Sequence, residues 1–384
     1  MASNKYYLGD LIKQRREKNP GGDLPIRGVS KDGLQPPKQI DADTSIYNVY
    51  YRNDFIFNPA RMELGSIAFN NEYDKAICSS LYEVFYVYRT DLVIPEYLAL
   101  FVKNPEFARY CNYIGNGSAR EYCRFDNISE IPIVLPSLPE QRKIVHDYKV
   151  ITDRIELLRK MNENLEGIAF THFQDVFAKA YTDDTLPDGW TMGTLDDVCD
   201  VKGGKRLPAD CELTDTKTSH PYIRVRDVGA SRYVCLTDQY QYIDDATHEA
   251  ISRYIVNTGD IVISIVGTIG LIGKIHKSLD GANLTENCVR LTHIKSVTSD
   301  YLYYTLQYKK QTKEIELLTV GAVQAKLPMY NIQGMKVVIP DEDVLASFQE
   351  RINAINSIVE ANTAEMQSLT VLAKSFFTMV QKGA

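Results

Sequence analysis

Three short stretches of this 384-residue chain carry groups that could hold a polyanion and read what it displays. Lys202-Gly-Gly-Lys-Arg206 sets glycines among cations, which suits close approach of a phosphate to the backbone. Solvated charge on a turn would use the same residues. In Tyr222-Ile-Arg-Val-Arg226, a strand would place Tyr222, Arg224 and Arg226 on one face, because successive side chains alternate. A polar outer sheet face has the same pattern. The third place occurs twice: Gly117-Ser-Ala-Arg120 matches Gly321-Ala-Val-Gln324, followed by Arg124 and Lys326 respectively. Arginine suits guanine and glutamine suits adenine, so Arg120 and Gln324 could read different bases from equivalent positions; a structural turn is the other reading. Arg27, Lys31 and Lys38 lie in a Gly/Pro-rich stretch, and Arg61 follows a strand-like run. Such cations hold phosphates, which position a ligand without reading it.

Catalysis has less support. Gly267-Thr-Ile-Gly-Leu-Ile-Gly-Lys274 lacks the glycine spacing of a phosphate loop, and Ile275 stands where Ser or Thr would hold magnesium. Asp215-Thr-Lys217 imitates part of a nuclease site without a hydrophobic strand to frame it, and Asn58-Pro-Ala lacks the aromatic that an adenine methyltransferase stacks on its base. Six histidines are too widely spaced for a triad or a metal cluster. Seven cysteines (78, 111, 123, 199, 211, 235, 288) include no Cys-x-x-Cys pair. Scattered thiols of this kind are expected to be reduced, mostly buried and cytoplasmic. No catalytic residue, metal site or cofactor of the chain's own is expected.

With 44% hydrophobic residues the chain can bury proper cores. Its start has no apolar signal segment, and its most apolar run, residues 260–274, is glycine-broken and shorter than the ~20 residues of a membrane helix. Buried strands joined by a tight turn, in a soluble protein without a membrane partner, are the expectation. The formal charge is −7, yet residues 1–130 hold 16 Lys/Arg against 17 Asp/Glu and residues 188–331 hold 16 against 18. A folded domain could gather those cations on one face. The 25 tyrosines suit an amphipathic surface, although most should simply pack.

The elements that would carry these residues come in two copies. A shift of 204 positions brings Gly117 onto Gly321, Asn127-Ile128 onto Asn331-Ile332, and Val134 and Pro136 onto Val338 and Pro340. Asn53-Asp-Phe-Ile-Phe57 also resembles Gly259-Asp-Ile-Val-Ile263. Each copy reads as a strand-rich globule, a short apolar strand ending at Pro136 or Pro340, and a long helix. Ile144, Tyr148, Ile151, Ile155, Leu158, Asn162 and Leu165 recur at four-three spacing, followed by Ala169, His172 and Val176. Phe348, Ile352, Ile355, Val359, Asn362, Met366 and Leu369 do the same, followed by Ala373, Phe376 and Val380. This is the seam of a coiled coil, and about 40 residues of helix span roughly 60 Å. Two core helices in separate domains would satisfy the pattern. Antiparallel pairing of the two with each other satisfies it with one register: Asn162 opposite Asn362, so that paired numbers sum to 524 and Tyr148 faces Phe376. Globules would then lie at opposite ends of a rod, related by an approximate two-fold axis. The expected fold is α+β, in four parts: residues 1–136, a first long helix in 137–182, residues 183–340, and a second long helix in 341–384.

Leu186-Pro-Asp-Gly-Trp190 and its continuation to Pro208 resemble the opening of a target recognition domain. Leu138-Pro-Glu-Gln-Arg-Lys-Ile144 resembles the entry to a central spacer helix. With the duplicated layout, essentially the whole chain is similar to the specificity subunits of type I restriction-modification systems. Two departures stand out. The first globule lacks the Pro-x-Gly-Trp entry and keeps only Leu8-Gly-Asp-Leu-Ile12; the second helix opens Pro340-Asp-Glu-Asp-Val. The resemblance implies a non-catalytic subunit whose two recognition domains each read half of a split target in double-stranded DNA. The helix pair would set the unread gap. Two modification subunits carrying S-adenosylmethionine would dock beside it, and restriction subunits would complete a cutting complex. The resemblance also tips Tyr222, Arg224 and Arg226 toward DNA contact. The competing reading is a coiled-coil scaffold that binds only protein; a nuclease or methyltransferase is more distant.

Overall fold

Helices Leu138–Phe177 and Glu342–Lys382 occupy the two segments with seam spacing. They belong to a computed structural model that describes residues 4–40, 43–115, 122–183, 185–229, 231–321 and 325–382. The chain divides into two units, Met1–Arg159 with Thr363–Ala384, and Lys160–Asn362. Each unit holds one strand-rich globule and a segment of both long helices.

Within each unit the helical segments run antiparallel. In the first, Ile151 and Leu158 are buried, and Ile144, Tyr148, Ile155, Met366, Leu369 and Phe376 are half-buried. Tyr148 meets Phe376 edge-on at 6.2 Å between ring centroids, and Arg154 pairs with Glu365 at 2.7 Å. In the second unit Phe348, Ile352 and Val359 are buried, Leu165 and Ile355 half-buried. There Asn362 Nδ2 donates to Asn162 Oδ1 at 2.8 Å. Tyr148 opposite Phe376 and Asn162 opposite Asn362 are the pairs the expected register requires. Near the end of the first helix, His172 stacks on Phe348 at 5.5 Å, one turn away from the expected partner Val176.

The asparagine pair trades stability for register, since alternatives that slide the helices strand both amides. Asn162→Leu leaves the Asn362 amide buried without its acceptor and is expected to destabilise by about 1–3 kcal/mol. The double variant Asn162→Leu/Asn362→Leu should recover that loss in denaturant unfolding, because two apolar partners replace two satisfied polar ones.

The globules repeat the same local devices. Strand Asn4–Tyr7 pairs antiparallel with Pro132–Leu135, and Thr191–Thr194 with Lys336–Ile339. Each first strand runs into a short helical turn whose third residue caps it: Tyr7 N donates to Asp10 Oδ2 at 3.0 Å, and Thr194 N to Asp197 Oδ2 at 2.7 Å. The following leucines, Leu8 and Leu195, are fully buried, and their amides bond Ile131 O and Met335 O. The looser match at 53–57 and 259–263 has a physical basis too. Asn53 and Gly259 take the left-handed conformation (φ 68° and 87°), the two residue types best suited to it. The next residues, Asp54 and Asp260, are buried and accept from the amides of Tyr51 (2.8 Å) and Asn257 (2.9 Å).

Around that turn the two globules share one antiparallel four-strand order, which the second extends by a fifth strand. In the first unit four antiparallel strands lie in the order Ile12–Arg15, Glu83–Val87, Phe55–Phe57, Ile67–Phe69. In the second, five strands run Asp200–Gly203, Cys288–Thr292, Ile261–Ser264, Ile272–Ile275, Tyr233–Val234, beside a three-stranded sheet of Gln241–Ile243, His220–Ile223 and Asn283–Leu284. The apolar run at 260–274 is therefore the expected strand pair, antiparallel with Ile261 opposite Lys274. No helix among the described residues is long and apolar enough to cross a membrane.

Entry to the first long helix explains its Leu-Pro-Glu-Gln sequence. Ser137 N donates to Glu140 at 2.9 Å, capping the helix. Gln141 is fully buried; its amide donates to Leu92 O (2.8 Å) and Pro136 O (2.9 Å) and accepts from Ile94 N (3.0 Å). One side chain thus stitches the helix to its globule.

Candidate nucleic-acid interface

The second unit gathers four of the sequence-selected residues around a groove of about 410 Å³, lined by Arg206, Leu207, Tyr222, Arg224, Val225, Arg226, Thr285, Glu286 and Asn287. The expected period-two strand does not produce this grouping. Strand His220–Ile223 ends before Arg224, because Asp227 accepts the Arg224 amide at 2.9 Å and winds Val225–Asp227 into a 3-10 turn. Tyr222 is consequently buried and does not share an exposed face with the arginines; its hydroxyl donates to Lys205 O at 2.8 Å. The turn projects Arg224 half-buried and Arg226 exposed into the groove.

The Lys202–Arg206 stretch is also fixed along its backbone and is not a bare turn. Lys202 and Gly203 lie in strand Asp200–Gly203, and Gly204 is held by Gly204 N to Cys288 O (3.0 Å) and the next amide, Lys205 N, to Leu284 O (2.8 Å). Lys202 points away to Asp200 at 3.7 Å, and the Lys205 ammonium lies 5.8 Å over the Tyr254 ring. Only Arg206 of the three cations lines the groove.

Charge there is arranged, not merely crowded. Arg206 pairs with Glu286 at 2.8 Å. Burial would raise the Glu286 carboxyl, but the Arg206 contact prevails and holds it below its usual value. Arg224 and Arg226 share Asp227 at 3.4 and 3.7 Å. Arg224 also bonds Gln241, whose amide reaches Asp215 at 2.8 Å. Three guanidiniums face two carboxylates in direct contact, and the buried Nη2 of Arg224 has no partner among the described residues. Such a set can accept an anion or a base edge at modest desolvation cost. Sequence reasoning missed Glu286, Asn287 and Gln241, which arrive from segments well away in sequence, and Asp227, whose cap on the Arg224 amide is local.

The first unit does not gather its selected cations. Arg27 is engaged: Nε donates to Tyr73 Oη at 2.8 Å, with its guanidinium 4.9 Å over that ring. Lys31, Lys38 and Arg61 are exposed, and Arg61 sits in the 3-10 helix Pro59–Leu64. Arg124 is exposed, 3.9 Å from Glu83 and 5.7 Å over Tyr122. Lys31 alone lines the cavity of about 780 Å³ in this unit, with Lys103 and Arg109, which spacing did not single out. Arg120 and Gln324 lie outside the described residues. Lys326 is exposed, and its backbone pairs with Val320 through two 2.8 Å bonds.

Two strand-rich units built on long helices make a duplicated α+β protein, with arginines gathered at a shallow groove of the second. A family model described as the type I restriction modification DNA specificity domain matches residues 9–167 and 187–371, and the chain belongs to that family. It is similar to the type I restriction enzyme MjaIX specificity subunit of Methanocaldococcus jannaschii, 23% identical over 301 residues covering 73% of this chain and 66% of that one. The type I restriction enzyme HindI specificity subunit of Haemophilus influenzae is 20% identical over 390 residues, 83% of each chain. The match thus spans just under two thirds of the first relative's length. Among solved structures, the S subunit of a type I restriction-modification system from M. genitalium aligns over 99% of this chain and 96% of that chain, with a TM-score of 0.53 and 14% identity; this is a likeness of fold.

Proposed function

We propose that the chain is the DNA-reading subunit of a type I restriction-modification complex, with recognition domains at 1–136 and 183–340 each reading half of a split target. The observation that carries the reading is the arginine-lined groove of the second unit, which joins Arg206, Arg224 and Arg226 to the polar edge of Thr285 and Asn287. Guanidiniums supply phosphate affinity and, where bidentate, guanine readout. Methylation and cleavage belong to the partner subunits in this reading, and S-adenosylmethionine binds the modification partner, in the cytoplasm. Two modification subunits would dock along the long helices in this reading. Val150, Leu157 and Leu372 are exposed on helical segments of the first unit, and Met161, Ile168 and Ile358 on those of the second. Such apolar side chains are suited to burial under a partner.

The test uses the chain assembled with its modification subunits. Arg226→Ala is expected to weaken binding by about 1–3 kcal/mol and relax one base of the second half-site if Arg226 reads a base. If it holds a phosphate, binding weakens uniformly across sequences and the salt slope falls by about one. Methylated-adenine maps and salt titrations separate these outcomes. The DNA-reading proposal for this groove fails if the triple variant of Arg206, Arg224 and Arg226 to alanine changes neither map nor slope. A protein-only scaffold would show no sequence-specific excess at all.

A further inference from the structure

Asp300, near the start of helix Ser299–Gln311 in the second unit, anchors a buried polar network that reaches strand Ile272–Ile275 and both long helices. Its carboxylate accepts from Arg232, which precedes strand Tyr233–Val234, and from Lys274 in strand Ile272–Ile275. It also accepts from Gln349 Nε2 at 2.7 Å and Asn356 Nδ2 at 2.9 Å, both on the second long helix. Arg232 continues the network to the first long helix. Its Nη1 donates to Glu166 Oε1 at 3.3 Å and to Tyr304 Oη at 3.0 Å, and Tyr304 donates to Glu166 Oε2 at 3.0 Å. The guanidinium is 1% exposed and lies between 5.2 and 5.5 Å from the ring centres of Tyr233, Tyr303 and Tyr304. Burial would raise the Asp300 carboxyl, but Arg232 and Lys274 outweigh it and hold it well below the usual carboxylate range.

Apolar contact is non-directional and holds an angle only through its packing. Charge-assisted hydrogen bonds have fixed directions, and any displacement leaves a buried charge uncompensated. We propose that Asp300 is a positioning residue: the clamp centred on it holds the second globule at one angle on its helical segments and so sets how strictly the complex discriminates the gap between half-sites. This rests on the split-target reading above and goes beyond it, because it assigns gap fidelity to a junction between globule and helix and not to helix length alone.

The first copy is built differently. The 204-residue shift that overlays Tyr97-Leu98 on Tyr301-Leu302 puts Glu96 opposite Asp300, and Glu96 is exposed. Its globule is stitched to the helix by the uncharged Gln141, whose counterpart is Leu345. Charge removal should therefore loosen the second junction only.

The experiment measures binding by the chain assembled with its modification subunits to duplexes carrying both half-sites, with the gap lengthened or shortened by one or two base pairs. Asp300→Asn keeps the shape and removes the charge. It is expected to reduce discrimination against wrong gaps about tenfold, within the range of coupling inside one polar network, and to leave base preference in both half-sites unchanged at the native gap. Glu96→Gln should change neither. Should Asp300→Asn not fold, Gln349→Ala/Asn356→Ala removes the second helix's contacts while Asp300 stays paired with Arg232 and Lys274, and carries the same expectation. A folded variant that loses thermal stability but keeps full gap discrimination overturns the clamp alone. A wild-type complex indifferent to the gap overturns the split-target reading, and the clamp with it.

Discussion

Gly204→Ala is expected to abolish recognition of the second half-site while leaving the first intact. A Cβ at this position would stand 2.0 Å from Thr285 O and 2.5 Å from Leu284 O, both backbone atoms that cannot rotate aside. Relief requires moving the segment 284–287, which carries Thr285, Glu286 and Asn287 along the groove, or moving Arg206 two residues on. Either change separates the Arg206–Glu286 pair and the wall it faces. Overpacking of this kind costs about 1–3 kcal/mol and occasionally more, and a backbone obstacle puts Gly204 at the upper end. The neighbouring glycine is the control. A Cβ on Gly203 meets only the Met329 methyl at 3.5 Å, an ordinary contact, so Gly203→Ala should be neutral or stabilising by roughly 0.5–1 kcal/mol. Thermal unfolding and methylated-adenine maps of both variants check the contrast. Equal behaviour would show that the close approach of the two strands has no part in shaping the groove.

That contrast marks the limit of what spacing can reveal. Lys202-Gly-Gly-Lys-Arg206 was legible as a place for cations, but nothing local distinguishes a glycine that needs no side chain from one that admits none. The second is set by Thr285, eighty-one residues away. Tyr222, Arg224 and Arg226 illustrate the same limit in reverse. Alternation suggested one strand face, and Asp227 broke the strand by capping a turn, yet the turn still delivered both arginines to the groove. The helix seam was far more legible, because four-three spacing depends only on residues of the two helices themselves. Asn162 and Asn362 even fixed the register, since a buried amide must find its counterpart. The matched turns at Asn53-Asp54 and Gly259-Asp260 were visible for a similar reason: a left-handed residue followed by an amide-accepting aspartate is a local device. Sheet order beyond those turns was not legible, because strands such as Glu83–Val87 and Cys288–Thr292 find neighbours through long-range packing.

Phe348→Ala should be the most destabilising single truncation along the seam. The ring is buried and lies within 5.2–6.4 Å of Phe177, Phe173, Tyr304 and Tyr301. Two of those belong to the first long helix and two to Ser299–Gln311, so one side chain joins both helical segments of the second unit to its globule. Removing a buried Phe costs about 3–5 kcal/mol, with aromatic pairing worth roughly 0.5–1.5 kcal/mol beyond buried area. The rigid rings around it cannot collapse into the space, which places the loss toward the upper value. In the first copy the same seam position is Ile144, only half-buried, and Ile144→Ala should cost about 2 kcal/mol, the low end of the range for such truncations. Denaturant unfolding of the two variants measures the difference. Equal losses would mean that the second globule does not depend on this aromatic junction for its hold on the helices, and that the Asp300 network beside it bears the load alone.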